Sequence, residues 1–337
     1  MEVAEAHRTI AVVEASQPAA ARFLVRELAD AAGFGEEDSY RAGLVATELA
    51  TNLVKHARAG EMLARIVRDG GEPGVEVLSV DRGPGIRDVS LALSDGHSTT
   101  GTAGHGLGAV RRLADAFDIH STEGRGTIVL ARLTLRRRGP GRGSVECAGV
   151  SVAVDGEPVC GDGWRVKDHP EQASVAVVDG LGHGLRAAEA AAATLQAFTE
   201  ANGGGAARTL EAMHDAARHT RGAAGTVVNL LPSRGLLVCA GIGNVATSIV
   251  SPAGIVRHAV TLPGTLGHQV RGVREFSYPW DADSVVVMHS DGLTSQWTFD
   301  GLAGIQRRHP AVMAAALYRD FRRVRDDVTV VVGRMPR

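Results

Sequence analysis

The sequence predicts two α+β domains: an α/β sandwich, then a two-layered sheet core covered by helices. Three observations predict it. Its 337 residues suffice for about two domains of ordinary size. A run that suits neither helix nor strand, RRRGPGRGS (136–144), interrupts the chain with like charges, three glycines and a proline. The order of elements also differs across that run: helix, helix, then strands before it, and many strands with two alanine-rich helical stretches after it. Residues 1–136 are therefore read as one domain, 137–144 as a linker and 145–337 as a second domain.

The first half opens on a strand-like run, TIAVVEA (9–15). Ser16 and Pro18 suit an N-cap and an early helical position for a segment reaching about residue 32. A second helix is expected over 37–57, with Asp38 or Ser39 near its cap. Strand-like runs follow at 63–68 and 75–80, a further helix at 108–117, and a strand at 127–133. In the second half, strands are expected at 150–154, 174–178, 226–231, 236–240, 248–250, 284–289 and 328–332, and helices at 186–199 and 206–218.

Composition excludes several classes. Hydrophobic residues at 44% and charged residues at 22% describe a globular protein and not a disordered one. Thirty-six basic residues against 38 acidic leave no charge excess for nucleic-acid binding. Cys147, Cys160 and Cys239 are odd in number and widely spaced, which fits neither a disulfide framework nor a zinc site and suggests a reducing cytoplasm. MEVAEAHRTI is not a signal peptide, and no apolar run approaches the roughly 18 residues that span a bilayer. A soluble, cytoplasmic protein with neither nucleic-acid nor membrane partners is expected.

On the second helix Glu48 and Asn52 stand four apart and share a face. Alone, such a pair is usually a solvated stripe. Downstream, however, a strand runs into DRGPGI (81–86), and GTAGHGLG (101–108) leads into a helix. An aspartate such as Asp81 can accept a hydrogen bond from an adenine amino group while glycines admit the base. Amides at a helix start can hold phosphate oxygens, and an asparagine oxygen is a suitable magnesium ligand. There is no G-x-x-x-x-G-K-[ST] loop, and the polar LSDGHSTT before the glycines rules out a dinucleotide fingerprint.

These boxes, ELATNLVKHA, DRGPGI, DGHSTTGTAGHGLGAVRRLAD and GRGT, resemble in order and spacing the GHKL (Bergerat) ATPase fold. More narrowly, they look like the RsbT-type serine kinases of bacterial partner-switching systems. The resemblance implies ATP and Mg²⁺ as cofactors. Asn52 would hold the magnesium, Asp81 would contact adenine, and Gly83 and Gly85 would allow its approach. Gly104, Gly106, Leu107 and Gly108 would wrap the phosphates, Thr127 would support the adenine end, and Glu48 would be the base on an incoming hydroxyl. His56, on the same helix, is read as structural.

The second half sets acids at strand ends. Asp179 ends ASVAVVD and opens the glycine-rich GLGHG, Asp291 follows VVVMHS, Asp326 and Asp327 precede VTVVV, and CGDGW adds Asp162. A single strand-ending Asp-Gly is more often a turn. Several converging carboxylates without basic partners repel one another unless cations sit between them, and an all-oxygen set favours Mg²⁺ or Mn²⁺.

CGDGW, VAVVDGLGHG, CAGIGNV, HSDGL and DDVTVVV resemble, in order, the PPM metal-dependent protein phosphatases of the SpoIIE branch, nearest to the RsbX type. That likeness implies a β-sandwich flanked by helices and two Mn²⁺ or Mg²⁺ ions. Asp179 would bridge the ions, the Gly180 carbonyl would bind one, Asp291 and Asp326 would complete the shell, and Asp162 would ligate directly or through water. Water activated by the ions would attack, so no catalytic serine or cysteine is required. Asp327 stands where the wider family often has asparagine. His183 reads as a supporting or exposed residue, or as a proton-transfer group. The CAGIGN turn reads as structural, with Gly241 and Gly243 permitting a bend.

Together the resemblances imply a bifunctional switch protein that phosphorylates and dephosphorylates serine or threonine on STAS-domain partners, the anti-anti-sigma or stressosome components. The alternative is a phosphatase whose first domain only binds nucleotide and partner. Oligomeric state is not readable from the sequence.

Overall fold

The computed structural model describes residues 2–3, 5–57, 59–69, 72–94, 106–135 and 144–336. The chain forms two compact units, one from residues 7–140 and 301–319, the other from 1–6, 141–300 and 320–337. Residues 301–319 thus group with the first unit although they lie far beyond the 137–144 run in sequence.

In chain order the elements begin with β1 (Glu2–Val3), which pairs within the second unit. The first unit contains β2 (Arg8–Ala11), α1 (Gln17–Ala31), α2 (Glu36–His56), β3 (Gly60–Asp69), β4 (Glu72–Asp81), α3 (Val89–Ala92), α4 (Gly106–Leu113), β5 (Ala116–Thr122) and β6 (Gly126–Thr134). Its strands form one antiparallel sheet in the order β2-β3-β4-β6-β5. Apolar residues recur at helical spacing on α1 (Ala21, Leu24, Val25, Leu28) and on α2 (Ala42, Val45, Ala46, Leu49, Leu53). These two stripes pack with Met62, Ala64, Val75, Val77, Val129 and Ala131 into one core. Helix α2 begins after Gly35, not at an Asp38 or Ser39 cap; Ser39 instead donates its hydroxyl to Asp30 at 2.6 Å. Glu36, Glu37 and Asp38 in its first turn, with Lys55 and His56 in its last, complement the helix dipole.

The expected helix over 108–117 is corrected: α4 stops at Leu113, and Phe117 lies in β5. In that strand Phe117 pairs with Ala131 and Ile119 with Val129, and both side chains reach the helical core. Period-two pairing against β6 therefore overrides the helical spacing.

Alternate strand residues of this sheet carry a buried charge cluster. Glu76 accepts from Arg65 Nε at 2.8 Å and Arg132 Nε at 2.6 Å, and its Oε1 lies 3.3 Å from His7 Nε2. Burial alone would raise the Glu76 carboxyl, but the guanidiniums of Arg132 and Arg65 outweigh it and hold it well below the usual range.

The second unit is a sandwich of two antiparallel sheets. It comprises β7 (Glu146–Val152), β8 (Asp162–His169), β9 (Gln172–Gly180), α5 (Leu185–Glu200), α6 (Gly205–Ala216), β10 (Ala223–Leu231), β11 (Leu236–Ile242), β12 (Ala246–Val250), β13 (Val256–His258), β14 (Phe276–Pro279), β15 (Val285–His289) and β16 (Val328–Arg334). One sheet runs β1-β8-β9-β10-β11-β14, the other β13-β12-β15-β16-β7. Trp164, Val175, Val177, Val228, Val286, Met288 and Val331 fill the space between them. Ala176, Val178 and Val227 meet Ala191, Leu195 and Phe198 of α5 and Leu210 and Met213 of α6. Strand β9 is thus buried on both faces, which is why ASVAVV reads as a continuous apolar run. The last helix, α7 (Pro310–Phe321), whose residues up to 319 group with the first unit, is buried from Pro310 to Arg319. Among the described residues no helix is long and apolar enough to cross a membrane.

Removing Glu76 would leave two buried guanidiniums without their carboxylate. Glu76→Ala is expected to cost about 3–5 kcal/mol in chemical denaturation, whereas Glu27→Ala, at an exposed pair with Arg8, should barely move the midpoint.

Candidate functional site

The structure assembles two centres, one in each unit. In the first, α2 and the start of α4 meet. A Cβ built on Gly106 would lie 3.3 Å from Asn52 Oδ1 and 3.6 Å from Glu48 Oε2, so both α2 side chains converge on the first residue of α4. Their four-residue spacing makes this possible, and glycine keeps the gap open. Gly108 is buried in α4, and Leu107 packs half-buried against the helical core. Gly104 lies outside the described residues.

Asp81 ends β4, and its Oδ1 accepts the Gly83 amide at 2.6 Å. Burial raises its carboxyl, opposed by hydrogen bonds from the Gly83 and Thr127 amides and then by the charges of Arg319 and His56. A side chain on Gly83 would meet the His56 carbonyl at 2.7 Å, so glycine lets this bend sit against the end of α2. Gly85 has φ +76° and packs against the Thr122 carbonyl. Thr127 shares a 2.8 Å hydrogen bond with Ser121, whose hydroxyl also accepts the Ile86 amide. The strand end, its turn and β6 are therefore tied into one edge. Gly126 lies in the GRGT box but was given no role from the sequence; a Cβ there would fall 2.1 Å from the Asp81 carbonyl.

In the second unit the strand ends deliver acids to a common edge. Asp162 opens β8 directly opposite Asp179 in β9. Asp179 accepts the Asp291 amide. Asp326 is in side-chain contact with Asp291, and its Oδ1 accepts the Asp327 amide at 3.0 Å. Asp162 is buried, and its carboxyl is pushed well up, first by burial and then by the charge of Asp179. Ser290 donates its hydroxyl to that carboxyl, yet Oδ2 is left buried without a hydrogen-bond partner. Burial, followed by Asp291, Asp326 and Asp327, pushes Asp179 up to about 7. Asp326 is raised by burial and then by Asp291.

Glycines allow this crowding. A Cβ on Gly180 would lie 2.1 Å from the Ala187 carbonyl, and one on Gly292 would lie 1.9 Å from the Asp327 carbonyl. Strand β9 can therefore end tight against α5, and the Asp291 turn tight against β16.

Three supporting residues were not legible in the sequence as such. Asn244, in the CAGIGN turn read as structural, donates Nδ2 to Asp291 Oδ2 at 2.7 Å. Asp327 gives its two carboxylate oxygens to the Val154 and Gly161 amides at 2.7 Å each, which fixes the loop leading into Asp162. His289 lies between Trp297 Nε1, which donates to its Nε2 at 3.0 Å, and the Ser290 carbonyl, which its Nδ1 meets at 2.8 Å. An asparagine in the glycine turn was the visible signal for the first. Nothing distinguished the roles of the others. His183 is exposed and forms a 2.6 Å pair with Glu157.

Among the described residues no group of three or more His, Cys, Asp or Glu is close enough to enclose an ion unaided. The donor set nevertheless suits a hard divalent cation: every candidate is an oxygen, the acids raise one another, and Asp162 holds a buried oxygen with no partner.

Comparison with known proteins follows this division. Residues 12–133 match the model of the histidine kinase-like ATPase domain, and residues 169–336 match that of stage II sporulation protein E (SpoIIE). The serine/threonine-protein kinase RsbT of Bacillus subtilis (strain 168) is 40% identical over 117 residues, which are 35% of this chain and 88% of RsbT. The phosphoserine phosphatase RsbX of the same organism is 23% identical over 181 residues, 54% of this chain and 90% of RsbX. A structure described as "The bacterial stressosome: a modular system that has been adapted to control secondary messenger signaling" aligns with TM-score 0.53 and 27% identity, over 56% of this chain and 99% of its own. RsbX in complex with magnesium aligns with TM-score 0.51 and 22% identity, over 57% of this chain and 96% of its own, a likeness of fold. The chain belongs, through its first unit, to the histidine kinase-like ATPase family of RsbT, and joins to it a SpoIIE-type metal-dependent phosphatase domain.

Proposed function

We propose that this chain is a bifunctional partner-switching enzyme. Its first unit would phosphorylate serine or threonine on a STAS-domain protein with ATP and Mg²⁺, and its second would remove phosphate from the same or a related partner with two Mn²⁺ or Mg²⁺ ions. The observation that carries the phosphatase reading is the convergence of Asp162, Asp179, Asp291 and Asp326, with one buried carboxylate oxygen unpartnered. The observation that supports transfer is Glu48 beside Asn52 at the start of α4. STAS-domain partners are supported by the likeness to RsbT, RsbX and a stressosome protein. A cytoplasmic location accords with three cysteines that form no disulfide among the described residues.

When bound, the ions supply Lewis-acid polarisation of the phosphoryl group and activation of the attacking water. The residues themselves do the positioning. Asp179, the Gly180 carbonyl, Asp291 and Asp326 would hold the ions, with Asp162 close behind. Asn244 orients Asp291, and Asp327 fixes the loop before Asp162. Few protein donors per ion leave positions open for water and substrate. In the first unit, Asn52 would hold the magnesium of ATP, Asp81 would read the base, and Glu48 would accept the proton of the attacking hydroxyl. Transfer then depends on positioning and on one well-placed acceptor.

Because Asp179 is raised from 3.8 to about 7, the folded chain binds more protons than the unfolded chain between those values. Metal-free stability should therefore fall as pH rises through that window. Melting of the chelator-treated protein should occur at higher temperature at pH 5.5 than at pH 8, and Asp179→Asn or added Mn²⁺ should shrink the difference. A flat profile would mean that the acids do not repel one another.

For activity, Asp179→Asn should abolish Mn²⁺-dependent release of phosphate from a phosphoserine STAS-domain partner. Glu48→Ala should lower transfer from labelled ATP to that partner by on the order of 10²-fold or more while ATP still binds. ATP binding without any transfer by the wild type would instead favour a nucleotide-dependent binding module.

A further inference from the structure

Between Asp291 and Asp326 the chain visits the nucleotide-type unit, to which residues 301–319 belong. Polar contacts hold the visiting segment there. Asp118 on β5 accepts the His309 amide at 2.6 Å and Arg308 Nη1 at 3.3 Å. Tyr318 donates its hydroxyl to the Glu61 carboxylate at 3.1 Å. Arg319 Nη1 donates to the Asp81 carbonyl at 3.2 Å, and Arg82 donates to the Arg319 carbonyl.

The last two contacts form a reciprocal clamp. Arg82 grips the carbonyl of Arg319, and Arg319 grips the carbonyl of Asp81, the residue before Arg82, so residues 81–82 and 319 are held together. Arg319 is only 5% exposed, so its side chain has little freedom to leave. The glycine at 126 leaves room at the Asp81 carbonyl, where any Cβ would collide. The Gly83 and Thr127 amides fix the Asp81 carboxylate from one side, and Arg319 fixes the main chain beneath it from another.

We propose that Arg319, remote in sequence from every nucleotide box, is a positioning residue for base recognition, holding the bend that aims Asp81. This rests on Asp81 being the base-reading carboxylate, and it adds a residue to that site from the segment joining two candidate metal ligands. The charge of Arg319 also bears on the Asp81 carboxyl, opposing the upward push of burial.

A residue that merely packs would weaken all nucleotides alike. A residue that aims Asp81 would weaken those whose amino group Asp81 reads. ATP and inosine triphosphate separate the cases, because inosine lacks that amino group. Binding of each to the full chain, with Mg²⁺, is measured by titration calorimetry. The wild type should prefer ATP. Arg319→Met should lower ATP affinity about tenfold, as for one charge-assisted hydrogen bond, with inosine triphosphate nearly unchanged, so that the preference collapses. Arg319→Lys, which keeps a charged donor, should restore most of it. If Arg319→Met does not fold, Arg319→Gln gives the same comparison with a shorter donor.

Equal loss for both nucleotides, or no loss, overturns the proposal. Asp81→Asn tests the assignment beneath it separately. If that variant keeps the wild-type preference, Asp81 does not read the base and the proposal falls with it; if Asp81→Asn loses the preference and Arg319→Met keeps it, only the proposal falls.

Discussion

Mutual repulsion among carboxylates at the strand ends is the constraint on which the second unit depends. Asp162 and Asp179 sit opposite each other in adjacent strands, and Asp291 and Asp326 reach the same edge from the other sheet. Burial raises the Asp162, Asp179 and Asp326 carboxyls, and the charges of neighbouring acids raise them further. A fold tolerates such a cluster only if the neutral acid or a cation relieves it. The surrounding elements are built to prevent escape: Gly180 and Gly292 permit contacts that any side chain would forbid, and Asn244 and Asp327 anchor the acids and their loops. Such rigidity is what the proposed metal site would require.

Under the proposed function the first unit would handle phosphate by a different route. Among the described residues it gathers no comparable acid cluster around Glu48, Asn52 or Asp81. One glutamate and one asparagine, four residues apart on α2, face the amide-bearing start of α4, and one aspartate at the end of β4 is held by the Gly83 and Thr127 amides. A lone carboxylate beside an asparagine suits a transfer in which positioning dominates. Four carboxylates suit hydrolysis assisted by cations. One chain thus carries two opposed arrangements of oxygen ligands, and the segment between Asp291 and Asp326 contributes to both units.

Much of this was legible wherever local pattern and tertiary role coincide. Apolar stripes on α1 and α2 and the buried run of β9 each announced their elements, because period and burial agree there. The acids were visible because each ends or precedes an apolar strand, and Glu48 and Asn52 because helical spacing puts them on one face. Elements whose identity depends on distant partners were hidden. The first two residues of β5 were read as the end of a helix and the rest was not assigned, because only pairing with β6 reveals its period. Asp162 was visible as a residue, but the strand it opens was not. Helix α7 lay in an alanine-rich stretch with no site residue to draw attention. Arg319 and Asn244 act through contacts made 238 and 47 residues away in sequence, respectively, and no local motif encodes such a distance.

Under the proposed function the converging aspartates would hold cations. Anomalous diffraction at the manganese edge, from crystals of the full chain grown with Mn²⁺, tests it most directly. Two strong peaks flanking the Asp179 carboxylate, with Asp291 and Asp326 drawn toward them, and their loss in Asp179→Asn, are expected. Manganese bound elsewhere while Asp179 keeps only hydrogen-bonded neighbours would contradict it.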